Sequence, residues 1–120
     1  MNDNFHTTDA GQADARRQVI NLVTQAEAIV ESLEMEDPRG RWALTAFGRH
    51  RVRELLGLTP YEPYVGDLQS DPADLYDRAA LAVDGFDVPI DELSWRLALA
   101  DALRTAARDV RMVQDATRQV

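Results

Sequence analysis

The chain predicts an all-α protein of about four helices forming an irregular bundle, two long and two shorter, and three observations carry that prediction. A seam of apolar residues steps by threes and fours along residues 15–33. A second stripe of the same period runs from Trp95 to Val113. Between the two lie clear helix start and stop signals, and no alternating run longer than four residues that would make a convincing strand. With 120 residues, 45% of them apolar, and a mean hydropathy of −0.36, the chain has the size and composition of one globular domain.

Residues 1–11 show no periodicity and read as a disordered N-terminal tail preceding a single helical domain over 12–120. The first helix is expected over about 12–36. Ala15, Val19, Leu22, Ala26, Ile29 and Leu33 form its seam, which Ile20, Val23 and Val30 widen into a broad apolar face. A face that wide needs cover, so the helix is expected to pack on the fourth helix, on a second copy through the 15–33 seam as a homodimer, or on both. Pro38 and Gly40 end it. A second helix is expected over about 40–57, closed by Gly57, with Leu44, Phe47, Leu55 and Leu58 sharing a face that Arg51 interrupts.

The loop that follows repeats Pro-Tyr with a spacing of three, so Tyr61 and Tyr64 fall on one edge and read as rings laid across the bundle with wet hydroxyls. Asp71 before Pro72 is an N-cap followed by proline at the first helical position. It opens a third helix over about 72–84 that stops at Asp84-Gly85. The fourth helix, over about 90–117, carries Trp95, Leu99, Ala102, Ala106, Val110 and Val113 on one stripe, with Leu93, Leu97 and Ala100 beside it.

Composition excludes several chemistries. There is no cysteine, hence no disulfide, thiolate metal site or cysteine nucleophile. No apolar run approaches the ~18 residues that span a bilayer, and the polar, acidic start lacks the features of a signal peptide, so a cytoplasmic location is expected. The net charge is −8, unevenly spread, and all thirteen basic residues are arginine. Residues 1–38 carry −6, residues 39–53 carry +5, residues 54–92 carry −9 and residues 93–120 carry +2. The stretch RGRWALTAFGRHRVR, residues 39–53, contains no acid at all. An acidic total argues against broad phosphate-driven binding of nucleic acid while leaving room for a local contact.

That island supplies the candidate binding residues: Arg39, Arg41, Arg49, Arg51 and Arg53, with Trp42 inside it and Tyr61 and Tyr64 in the adjoining loop. Planar guanidinium groups suit carboxylates and phosphates alike. The same arginines could also pair with the chain's own acidic ESLEMED, residues 31–37, which a turn at Pro38–Gly40 brings close. Arg104, Arg108, Arg111 and Arg118 share a face of the fourth helix and read as a solvated, salt-bridged stripe, or as a second patch continuing the first.

The expected function is non-enzymatic: a macromolecular-binding or regulatory protein, such as an adaptor, inhibitor or accessory factor. It would act through helix packing and the arginine-rich patch, with another protein as partner and no membrane, cofactor, metal or catalytic residue. The alternative rests on RVRELLGLTPYEPYV, which resembles the middle of a helix-turn-helix unit and implies DNA contacts by Arg49, Arg51 and Arg53; Pro60, Pro63 and Glu62 depart from what a reading helix needs. A third reading is magnesium-dependent nucleotide pyrophosphate hydrolysis by Glu31, Glu34, Asp74 and Asp77. All-α nucleotide pyrophosphatases bind the metal with such carboxylates, although their leading Glu pair and distant Glu-x-x-Asp are not matched here.

Overall fold

A computed structural model describes residues 2–58 and 64–118, with side chains from Gly11 onward. The protein is all-α, with α1 at Asn2–Glu36, α2 at Ala46–Leu56, α3 at Pro72–Asp84 and α4 at Leu93–Arg118, and no strand among the described residues. Two short 3-10 helices, Arg41–Thr45 and Ile90–Glu92, lead into α2 and α4. No helix among the described residues is long and apolar enough to cross a membrane.

Each boundary has a local cause. Helix α1 begins at Asn2, ten residues before the start expected from the seam. Periodicity marks where a helix becomes covered, not where its hydrogen bonding starts, and the first seam residue is Ala15 as read. At its far end Asp37 organises the turn. One carboxylate oxygen accepts the Arg39 N–H at 3.2 Å, and the other accepts the Arg41 N–H at 3.1 Å. Gly40, in the left-handed region at φ 68°, completes the reversal.

The helix expected over 40–57 is thereby split into a 3-10 turn and α2. Gly57, at φ 66°, ends α2 with paired bonds from its own N–H to the Glu54 carbonyl and from the Leu58 N–H to the Arg53 carbonyl, the Schellman arrangement. Asp71 caps α3 as expected, accepting the Ala73 N–H at 3.0 Å with Pro72 at the first position.

The packing order is α1 on α3, α3 on α4 and α4 on α2. The cover for the α1 seam therefore comes from α3, where the fourth helix or a second copy was expected. Seven of the thirteen α3 residues are buried, several of them alanines that let its neighbours approach on two sides. Val19, Val23, Ala26, Ile29 and Val30 are buried within the single chain, so a homodimer through this seam would first have to open the core.

Helices α3 and α4 run antiparallel. Asp77 pairs with Arg111 and Asp84 with Arg104, so seven residues forward on one helix match seven back on the other. That is where two of the stripe arginines on α4 are spent, across α3 rather than in a common patch with residues 39–53. Leu99, Ala102, Ala106, Val110 and Val113 are buried as predicted, but Leu97 is 57% exposed and Leu93 is also exposed. Trp95 ties the end of the bundle together. Its indole N–H donates to the Leu55 carbonyl at 2.7 Å, its ring stacks on Phe86 at 6.2 Å, and Arg16 of α1 lies 4.5 Å over it.

Candidate functional site in the open seam between α1 and α2

Four helices arranged in a ring have four seams, and three of these are closed. The fourth, between α1 and α2, is bridged by side chains instead of packed backbone, and it holds an open groove of about 780 Å³. The α1 wall carries Glu27 and Glu31. The α2 side carries Ala43, Phe47, His50 and Glu54, with Leu58 at one end.

The floor is a buried polar network. Glu27 is 7% exposed and Arg49 is 8% exposed. Arg49 Nη1 donates to Glu27 Oε2 at 2.8 Å and its Nε donates to Thr45 Oγ1 at 2.8 Å, while the Thr45 hydroxyl donates to the Trp42 carbonyl at 2.7 Å. The Tyr76 hydroxyl, from α3, donates to Glu27 Oε1 at 3.1 Å. Both carboxylate oxygens are thus satisfied, and no fully buried side-chain polar atom among the described residues lacks a partner. Burial, and then the negative charge of Glu27 beside it, hold the Tyr76 hydroxyl well above the ordinary tyrosine range.

This floor overturns half of the expected face of the second helix: Leu55 and Leu58 pack partly buried against the core, but Leu44 and Phe47 do not. Leu44 is 76% exposed and Phe47 86% exposed, whereas Trp42, Thr45, Gly48, Arg49 and Val52 are buried. Two things turn the helix over. The 3-10 start shifts the register of residues 41–45, and the small Gly48 is turned toward α4. A Cβ at Gly48 would stand 2.9 Å from Asp109 Oδ2 and 3.8 Å from the Ala106 Cα. The result is a ridge: Phe47 lines the α1–α2 groove on one side and, on the other, a smaller hollow of about 230 Å³ between α2 and α4 with Arg51 and Asp101.

The expected binding residues therefore scatter. Arg49 and Trp42 are interior and leave the candidate surface. Arg41 is held by Asp37, Nε to Oδ2 at 3.3 Å. Desolvation works against the Asp37 charge, but the Arg41 side chain and the two N–H donors prevail and keep its pKa below the usual carboxylate range. Arg39 and Arg51 are exposed, and Arg53 is half-buried at the groove.

Tyr64 is half-buried in its own loop, where its hydroxyl crowds the position a Cβ would take at Gly66, away from the ridge. Tyr61 lies outside the described residues. Self-pairing with the chain's own acids thus occurs at Asp37, within residues 31–37, and a turn or more upstream at Glu27. Neither Glu27 nor Tyr76 is among the site residues expected from the sequence. The missed signal is that Glu27 stands four residues after Val23 and three before Val30, on the covered face itself.

The other constellations do not assemble. Fifteen residues separate the end of α2 from the start of α3, and the described ones are not helical, where a helix-turn-helix unit has a turn of three or four. Asp77 is occupied by Arg111, Asp74 is exposed on α3 and Glu31 faces the groove. Among the described residues no group of three or more potential metal ligands occurs.

Comparison with known proteins supplies no relative. No family model, no curated protein and no solved structure matches the chain.

Proposed function

We propose that the protein acts without catalysis, by docking another protein on the α2 ridge and the groove beside it. The observation that carries this reading is Phe47, an aromatic side chain left 86% exposed on a helix whose opposite face is fully packed core. Leu44, 76% exposed, stands one turn away, and the exposed Arg51 lies four residues beyond Phe47 on the same face. Two adjacent large apolar side chains with an arginine at the rim have the composition of an interface hot spot. The acid-free run of residues 39–53 keeps like charges of this acidic chain away from the contact.

The groove does not suit a nucleic acid. It sets three carboxylates, Glu27, Glu31 and Glu54, against two guanidinium groups and a histidine, where a phosphate backbone needs an excess of cations. The test is affinity capture from nuclease-treated lysate with the wild type, the ridge variants Phe47→Glu and Leu44→Glu, and Leu81→Glu on the exposed face of α3 as control. A protein retained by wild type and control but lost by both ridge variants supports docking at this ridge. A set of captured proteins that is the same for all four baits removes it.

A further inference from the structure

We infer that the ridge and groove are self-complementary, and that the occupant of the groove is α2 of a second copy of this chain, arranged about a two-fold axis. This rests on the docking reading above and names its partner. An isologous contact requires a projection and the recess that receives it to lie on the same face of one molecule, since each copy must both give and take. That arrangement is present here. Phe47 projects from α2 and Leu44 from the 3-10 turn that leads into it, and the open seam of about 780 Å³ lies beside them, lined in part by Phe47 itself. The other three seams of the bundle are closed, so this is the one place among the described elements where a further helix could complete the ring.

Charge selects the same occupant. Glu27 and Arg49 are spent on each other in the floor and His50 pairs with Glu54 on the α2 side, so the charge that the α1 wall offers an occupant is the exposed Glu31. A strongly anionic partner would meet Glu31 and Glu54. A two-fold related copy brings its own residues 39–53, which hold no acid, against the α1 wall, with the exposed Arg51 as a counter-charge for the exposed Glu31. The α1 seam that the sequence offers as a dimer contact is core, whereas α2, which the sequence offers as core, presents the apolar face that remains.

The experiment is sedimentation velocity with in-line light scattering on the wild type up to about 100 µM, where a dimer with a Kd of about 10 µM is mostly paired. The variants are Phe47→Glu, Leu44→Glu and the remote control Leu81→Glu, with helical content checked by circular dichroism. The wild type and Leu81→Glu should rise with concentration toward twice the 13.5 kDa chain mass, and both ridge variants should stay at the chain mass with helix content unchanged. Because Phe47 and Leu44 carry little of the core, two independent variants keep the test readable.

A wild type that remains monomeric throughout, or a dimer that survives both ridge substitutions, overturns the inference. If the wild type is monomeric yet lysate capture still depends on Phe47, self-pairing falls and docking stands with a different protein. If capture fails as well, both fall.

Discussion

Arg49 offers the most severe test of the structure, because its cost can be worked out before it is measured. Arg49→Met keeps the length and apolar stem of the side chain and removes the charge. Glu27 would then be left with Tyr76 as its remaining donor, in a site where the two side chains of the pair are 10% and 9% exposed. Breaking a buried pair from one side typically costs about 3–5 kcal/mol, because the surviving charge is stranded. The groove above lets some water reach Glu27, so the lower end, about 3 kcal/mol, is expected here. The Thr45 hydroxyl also loses the donor to its oxygen, which adds about 1 kcal/mol. For a chain of 120 residues, each kcal/mol lowers Tm by about 3–6 °C, so the single variant should melt at least about 10 °C below the wild type.

Removing both charges changes the sign of the reasoning. Glu27→Met with Arg49→Met leaves no stranded ion and should recover most of the loss, apart from about 1–3 kcal/mol for the Tyr76 hydroxyl, which loses its acceptor. Adding Tyr76→Phe should recover that as well. The assay is urea unfolding followed by circular dichroism, read as a double-mutant cycle. If Arg49→Met costs less than about 1 kcal/mol, the pair is solvated and the buried floor is wrong. If the double variant is as unstable as the sum of the singles, the loss is one of packing and the ion pair is incidental.

Other expectations follow from the same geometry. Phe47→Glu and Leu44→Glu should each change unfolding free energy by no more than about 0.5 kcal/mol in dilute solution, as befits exposed side chains; a loss above about 2 kcal/mol would show that the ridge is core. Gly48→Ala should be neutral or stabilising by up to about 1 kcal/mol, since the only close atom is the end of the Asp109 side chain, which can swing aside, while the helix gains propensity; a chemical melt decides. Asp71→Ala should cost about 1 kcal/mol through the lost cap of α3. Because the folded pKa of Tyr76 is raised, its contribution is full below the unfolded value of about 10 and is lost as pH rises through the folded value. Tyrosinate absorbance should therefore show Tyr76 ionising with unfolding, and Tyr76→Phe should flatten the alkaline limb. Asp37 has the opposite sign: its contribution is present above about 3.9 and lost as pH falls through its lowered folded value, so Asp37→Asn should flatten the acid limb.

How much of this was legible in the sequence depends on how local each cause is. The Asp71-Pro72 start, the Gly57 stop and the buried stripe of α4 are written within a turn or two of where they act, and the structure has them as read. The expected face of α2 holds at one end and fails at the other, because both of its faces are chemically ambiguous. Leu55 and Leu58 pack partly buried against the core, but Leu44 and Phe47 are exposed, and Trp42, Thr45, Gly48, Arg49 and Val52 take the fully buried places. What tips the choice is non-local. Arg49 can be buried only because Glu27 waits 22 residues away, and Gly48 matters only because α4 passes over it. A seam residue such as Val23 announces that it will be covered, but not by what, and so α3 in place of α4 could not be read from α1 alone.

The arginine island then has a physical account that composition alone does not give. Its five cations do four different things: Arg49 turns inward, Arg41 locks the Asp37 turn, Arg53 is half-buried at the groove, and Arg39 and Arg51 remain on the surface. For Arg49 to reach Glu27, nothing nearer may capture it. The positions three and four residues either side of it on the helix, Thr45, Ala46, Val52 and Arg53, carry no carboxylate. An acid at Ala46 or Arg53 would offer Arg49 a partner closer to solvent and leave the buried Glu27 without one. Freedom from acid across residues 39–53 is therefore as much a condition for the core as for the surface. The same condition that sends Arg49 inward leaves Phe47 and Leu44 outward, so the buried network and the exposed ridge are two faces of one helical register.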